Sequence, residues 1–359
     1  MFVNKKQVHP LGTRLQMNKT GWYIGMVGCV VWLQTACTGF ANRQPQTPQP
    51  PTQTLTLWQI ADTTCPAAYT VLTLEQWCGL PVTNADFETL DRFLHSLEQQ
   101  ITPRANGAYT RAQALQILQT IQQEVNGLRS QQVTYHSALY LCLRYRLFDC
   151  DINSLLFVTA AQHLNLPIQA LLMPAHMSVV WNNGRQQIYW ETTQNREVSL
   201  QYYRQKYQLP QAETDAQTPW LQPLNGQQIT AIALFNIGQT YAEMGYTAQA
   251  MPYYRQAQQL FAQWFKPAAA AAHAYLKLHH PDSALLLARY ALQQYAPQPD
   301  LPELMGNAYL LLGCNTEAAQ ALLQSAHLHT QTQYPDTETI ARLQQQAGRV
   351  QQGAGVWQR

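Results

Sequence analysis

Leu234-Phe235-Asn236-Ile237-Gly238-Gln239-Thr240-Tyr241 decides how the last third of the chain is read, because its key positions recur downstream. Gly238, Ala272 and Gly306 are 34 residues apart, and so are Tyr241, Tyr275 and Tyr309. In the same phase come Ala250, Ala284 and Ala318, then Tyr254, Ala288 and Leu322. A fixed step of that length, with apolar residues at helical spacing, describes stacked helical hairpins that each bury a face against the next. Small residues are required where the two helices of a hairpin cross closely. The tyrosine column fills the space between neighbouring hairpins. Gly245 and Gly313 stand where the first helix of a hairpin ends, a place for positive φ. The middle hairpin puts His279-His280-Pro281-Asp282 around that turn.

These columns resemble the tetratricopeptide repeat: small at its eighth position, Tyr at its eleventh, Ala at its twentieth. The resemblance implies three repeats over residues 231–332, forming an all-α solenoid that holds a protein or peptide partner. After Gln333 the pattern fades. Residues 333–359 read as a polar capping helix, about Thr337–Ala347, and a tail.

Working outward, the 359-residue chain is 46% hydrophobic and only 12% charged, with glutamine in place of much of the usual surface charge. No basic stripe is present, so nucleic acid is not an expected partner. The first 36 residues carry Lys5, Lys6, Arg14 and Lys19 and no acid. The apolar run Gly21–Leu33 is too short to cross a bilayer but suits the core of a signal peptide. Leu33-Gln34-Thr35-Ala36-Cys37 resembles a bacterial lipoprotein cleavage box, with Gln34 in a position where such boxes carry an aliphatic residue. That likeness implies lipidation of Cys37, attachment to a membrane of the bacterial cell envelope, and a Pro/Gln/Thr-rich tether over 37–58. In an oxidising compartment, Cys65 and Cys78 are the natural disulfide candidates, since both are read into a turn-rich segment.

Residues 59–215 form the second unit. Phe87, Leu90, Phe93, Leu94, Leu97 and Ile101 make one helical stripe, and Leu115, Leu118, Ile121 and Val125 another. Thr110-Arg111-Ala112-Gln113 reads as a capping box for the second. A third helix is expected over about Thr134–Leu147. Asp149-Cys150-Asp151 then opens an apolar helix ending near Leu164, before Leu166-Pro167. Alternating or apolar runs follow, with a turn at Asn182-Asn183-Gly184 that predicts an antiparallel hairpin. His176 begins its first strand and Glu191 ends its second. A cysteine at a helix start, a histidine on a strand and a carboxylate on the next is the layout of a thiol nucleophile with its base and orienting acid. The positive end of the helix is expected to lower the thiol pKa, against the opposition of Asp149 and Asp151.

Asp149-Cys150-Asp151 with Ser154-Leu155-Leu156, then Leu166-Pro167, Pro174-Ala175-His176 and Tyr189-Trp190-Glu191-Thr192-Thr193, resemble the transglutaminase-like superfamily, papain-like in architecture. The resemblance covers about Thr134–Leu209 and implies an α+β domain with Cys150 as nucleophile, His176 as base and Glu191 as orienting acid. Ala175 stands where similar sequences have Gly, and many members carry Asp at the third position. No phosphate-cradling glycine loop, zinc-ligand spacing or dinucleotide fingerprint is present, so neither cofactor nor metal is expected. Two functions follow as expectations. The first is a membrane-tethered, thiol-dependent amide hydrolase or acyl-transferase acting on a protein or peptide. The second is a non-catalytic scaffold in which the papain-like layout is inherited shape.

Overall fold

Among the described residues, five helices lead into a small sheet: α1 (Ala67–Trp77), α2 (Asn84–Gln100), α3 (Arg111–Leu128), α4 (Leu139–Tyr145) and α5 (Cys150–Leu164). The computed structural model describes residues 65–104, 107–128, 138–207, 209, 219–294, 298–331 and 335–353. The expected signal segment, Cys37 and the tether lie outside them. The strands β1 (Ile168–Met173), β2 (His176–Asn182), β3 (Gln187–Glu191) and β4 (Arg196–Val198) form one antiparallel sheet in the order β1-β2-β3-β4. The β2–β3 turn falls at Asn182-Asn183-Gly184 as expected. Gly184 has φ 77, and the Asn182 and Asn183 side chains accept the N–H groups of Gly184, Arg185 and Gln186.

The Thr110 capping box is present, Thr110 N–H donating to Gln113 Oε1 at 3.0 Å and Gln113 N–H to Thr110 Oγ1 at 3.3 Å. The third helix is shorter than expected. It starts at Leu139 and stops where Arg146 turns left-handed, φ 59. The Cys65–Cys78 expectation fails outright. The two are not joined, because the segment between them is α1, not a turn. Eleven helical residues set their ends roughly 16 Å apart, far beyond the span of a disulfide. The segment carries no helical stripe in the sequence because α1 is apolar on nearly every side: Ala68, Leu72 and Leu74 are all fully buried.

After α6 (Leu200–Lys206), residues 219–225 run along the outer edge of β1. Leu221 N–H donates to Leu172 O, and Leu224 N–H to Ala170 O, each at 2.9 Å. The segment thus covers an otherwise open strand edge. Among the described residues seven helices follow: α7 (Gly226–Glu243), α8 (Thr247–Leu260), α9 (Lys266–Lys277), α10 (Pro281–Gln294), α11 (Asp300–Leu311), α12 (Asn315–Thr330) and α13 (Thr337–Gln351). Each packs against the next.

The 34-residue step survives as geometry. A Cβ on Gly238 would lie 2.6 Å from the Tyr254 ring, and one on Gly306 would lie 2.8 Å from Leu322. In the middle hairpin, Ala272 and Ala288 hold the equivalent columns, and both are fully buried. A large side chain on one helix is met by glycine on the other, and a small one by alanine. The tyrosines also repeat: Arg255 donates to the Tyr275 hydroxyl at 2.7 Å, and Arg289, one step on, donates to that of Tyr309. Tyr241 has no preceding hairpin. Its hydroxyl donates instead to the Cys78 carbonyl at the end of α1, so the first unit occupies the place of a preceding repeat. Gly245 (φ 86), His279 (φ 59) and Gly313 (φ 73) hold the three left-handed turns. Among the described residues, no helix is long and apolar enough to cross a membrane.

Candidate functional site

Asp149 caps α5, its carboxylate accepting the Ile152 N–H at 2.9 Å, and this sets Cys150 as the first helical residue. The helix is buried almost all round from Ile152 to Ala161 and packs on β1 and β2. Pro174-Ala175 makes the tight β1–β2 turn, Ala175 adopting φ 55, and delivers His176 as the first residue of β2. The turn asks for the left-handed region. That explains physically why glycine suits this position and why alanine strains it.

Structure brings His176 and Glu191 together. His176 Nε2 lies 2.9 Å from Glu191 Oε2 and 3.1 Å from Oε1, with the imidazole 9% exposed and the carboxylate fully buried. Thr193 donates to Glu191 Oε1 from its hydroxyl at 2.6 Å and from its N–H at 3.2 Å. Burial alone would raise the Glu191 pKa, but the His176 hydrogen bond and charge, with Thr193, outweigh it and bring the value to about 2. Glu191 is therefore an anion at neutral pH. Because Nε2 bonds the carboxylate, the ring nitrogen left for other work is Nδ1.

Cys150 stands differently from expectation. Its Sγ donates to Asp151 Oδ1 at 3.4 Å, while the N–H of Met177, the residue after His176, points at the sulfur. Burial first, and then the charges of Asp151 and Asp149, push the thiol up rather than down, and the Met177 N–H does not reverse it. The resting sulfur is a protonated thiol turned towards Asp151. Asp149 is itself pushed up, to about 7, by burial and by Asp151, against the backbone N–H groups it accepts.

Sequence reasoning missed Tyr207. Its ring stacks on that of His176 at 5.5 Å between centroids and 16° between planes, and the Lys206 ammonium lies 5.2 Å from its centroid. Burial first, then the charges of Glu191 and Cys150, hold its hydroxyl protonated. Nothing in the local sequence marks this tyrosine among its neighbours Tyr202 and Tyr203. A second unannounced feature is Glu75, 1% exposed on α1, which accepts the N–H groups of Leu139 and Tyr140 at 2.5 and 2.9 Å and so caps α4. Burial pushes its pKa up to about 8 against those two donors. Trp190 belongs to the core, 2% exposed with its indole N–H on Gln122 Oε1 at 3.0 Å.

No protein-family model matches this sequence, and no curated protein matches it.

Proposed function

We propose that this chain is a thiol-dependent enzyme of the bacterial cell envelope, in which a transglutaminase-like domain cleaves or exchanges an amide bond in a protein or peptide. A lipid on Cys37 tethers it, and the tetratricopeptide-like array holds the polypeptide partner. The observation that carries the reading is the buried His176–Glu191 pair on the strand ends beside the start of α5. A buried carboxylate–imidazole pair is costly for stability alone, whereas it fixes the ring so that Nδ1 is the proton acceptor.

The chemistry begins from a protonated thiol. Cys150 Sγ turns from Asp151 towards His176 and attacks the substrate carbonyl carbon while its proton passes to Nδ1. Glu191 stabilises the imidazolium that forms. The proton then goes to the departing amine as the C–N bond breaks, leaving a thioester on Cys150. Water or a second amine resolves the thioester, the one giving hydrolysis and the other transfer. The raised thiol pKa makes proton transfer concurrent with attack, in place of a preformed thiolate–imidazolium pair.

The same raised pKa, with Tyr207 lying over the imidazole, favours a second reading, a non-catalytic scaffold. Mass spectrometry of iodoacetamide-treated protein separates the two. The enzyme reading expects Cys150 to be labelled, with a rate still climbing above pH 9, and a His176→Ala protein to react at least tenfold more slowly at neutral pH. An identical rate in the two proteins favours the scaffold.

A further inference from the structure

Between α1, α5, β2 and α7 lies a cavity of about 30 Å³, enough for a couple of water molecules or a group of one or two carbons. Two of its lining residues are the groups that touch the Cys150 sulfur: Asp151, which accepts its proton, and Met177, whose N–H faces it. The cavity therefore begins one contact away from the sulfur. Glu75 of α1 lines it, with both carboxylate oxygens engaged by the start of α4. Another wall comes from the other unit of the molecule: Ile229, Ile232 and Ala233 of α7, the first helix of the array. In the rest of the lining Asn236, also of α7, is the one polar side chain. A cavity this small rejects a branched side chain, because extra carbons forced into a packed site strain it.

We propose that this cavity is the side-chain subsite of the thiol, taking the small aliphatic side chain carried by the acyl-donor residue whose carbonyl Cys150 attacks. The inference rests on the reading of Cys150 as nucleophile. It adds that the array takes part in the chemistry: α7 supplies the wall that sets the size of the accepted residue, so residues in two units define one specificity.

Alkyl methanethiosulfonates of different size test this on the full chain. The Cys150 sulfur attacks their sulfenyl sulfur, the alkylthio group transfers, and methanesulfinate leaves with the electron pair. In the native protein the methyl reagent is expected to react at least tenfold faster than the benzyl reagent at Cys150, after each rate is divided by its rate with glutathione. Ile232→Ala, which enlarges the cavity, should raise the benzyl rate at least fivefold. Ala233→Val, which fills it, should lower the methyl rate at least fivefold. If Ala233→Val does not fold, Ile232→Ala carries the test alone. A Cys150 that reacts, with a size ratio untouched by these changes, overturns the subsite and leaves the nucleophile reading standing. A Cys150 inert to both reagents while Cys314 reacts overturns the nucleophile reading and the subsite together.

Discussion

The two units bury different chemistry. Before residue 205 the core contains Glu75, Asp86, His176, Glu191 and Arg204 together with buried amides and hydroxyls. Among the described residues of the helical array, by contrast, the buried polar groups other than tyrosine are three hydroxyls, Thr230, Thr240 and Ser325. All three donate to backbone carbonyls, Thr230 and Thr240 within their own helix, and no Asp, Glu, Lys, Arg or His side chain is buried there among the described residues. The array is held by the fit of apolar volumes, repeated at each step, and almost any residue of the right size serves. The first unit places ionisable groups where their desolvation is compensated only by particular partners. Such a cost is tolerated at a position that does something.

The largest expected effect breaks that contrast at its centre. Glu191→Gln should cost roughly 3 kcal/mol at pH 7 in urea denaturation, because a buried hydrogen-bonded charge is lost. The sign of the pH dependence follows from the depressed pKa. Glu191 contributes stability above its ordinary value near 4.5, and that contribution is lost as pH falls towards about 2. The gap between native and variant protein should therefore close across that window. A gap that stays constant from pH 5 to pH 2 would show that the pair is not charged.

A second experiment asks whether the array really runs on volume. Gly238→Ala drives a Cβ into Tyr254 and should cost about 2 kcal/mol. With Tyr254→Ala already present, the crossing copies the Ala272–Ala288 pair of the middle hairpin. In that background the same change should be neutral or stabilising by up to about 1 kcal/mol, from helix propensity. Equal costs in both backgrounds would refute the pairing of columns.

Asp151→Asn sharpens the comparison on the chemical side. It removes a charge that raises the Cys150 thiol, so alkylation of Cys150 at pH 7.5 should accelerate at least fivefold, with little change in the melting temperature. Tyr275→Ala should cost about 1–2 kcal/mol, less than a core aromatic. Its ring is half-buried and its hydroxyl meets only the exposed Arg255. The smallest effects lie where each unit has a non-glycine residue in a left-handed turn. Ala175→Gly and His279→Gly should each gain up to about 1 kcal/mol, read as a higher denaturation midpoint.

What the sequence determined by itself were the features set by local periodicity. The 34-residue step, the apolar stripes of α2 and α3, the Asn-Gly turn and the helix–strand–strand order of Cys150, His176 and Glu191 all lie in short-range patterns that survive without tertiary knowledge. Where a helix is buried on every side the pattern vanishes, which is why α1 was read as turn and Cys65 was wrongly paired with Cys78. Tertiary structure alone decided the electrostatics. Whether Cys150 is lowered or raised depends on how deeply it is buried and which way Asp151 points, and charge energies change with distance and burial in a way that spacing along a chain does not encode. The same holds for Tyr207 over His176, for Glu75 under α4 and for α7 walling the cavity that Asp151 and Met177 also line. Each joins residues far apart in sequence, through contacts that no local pattern specifies.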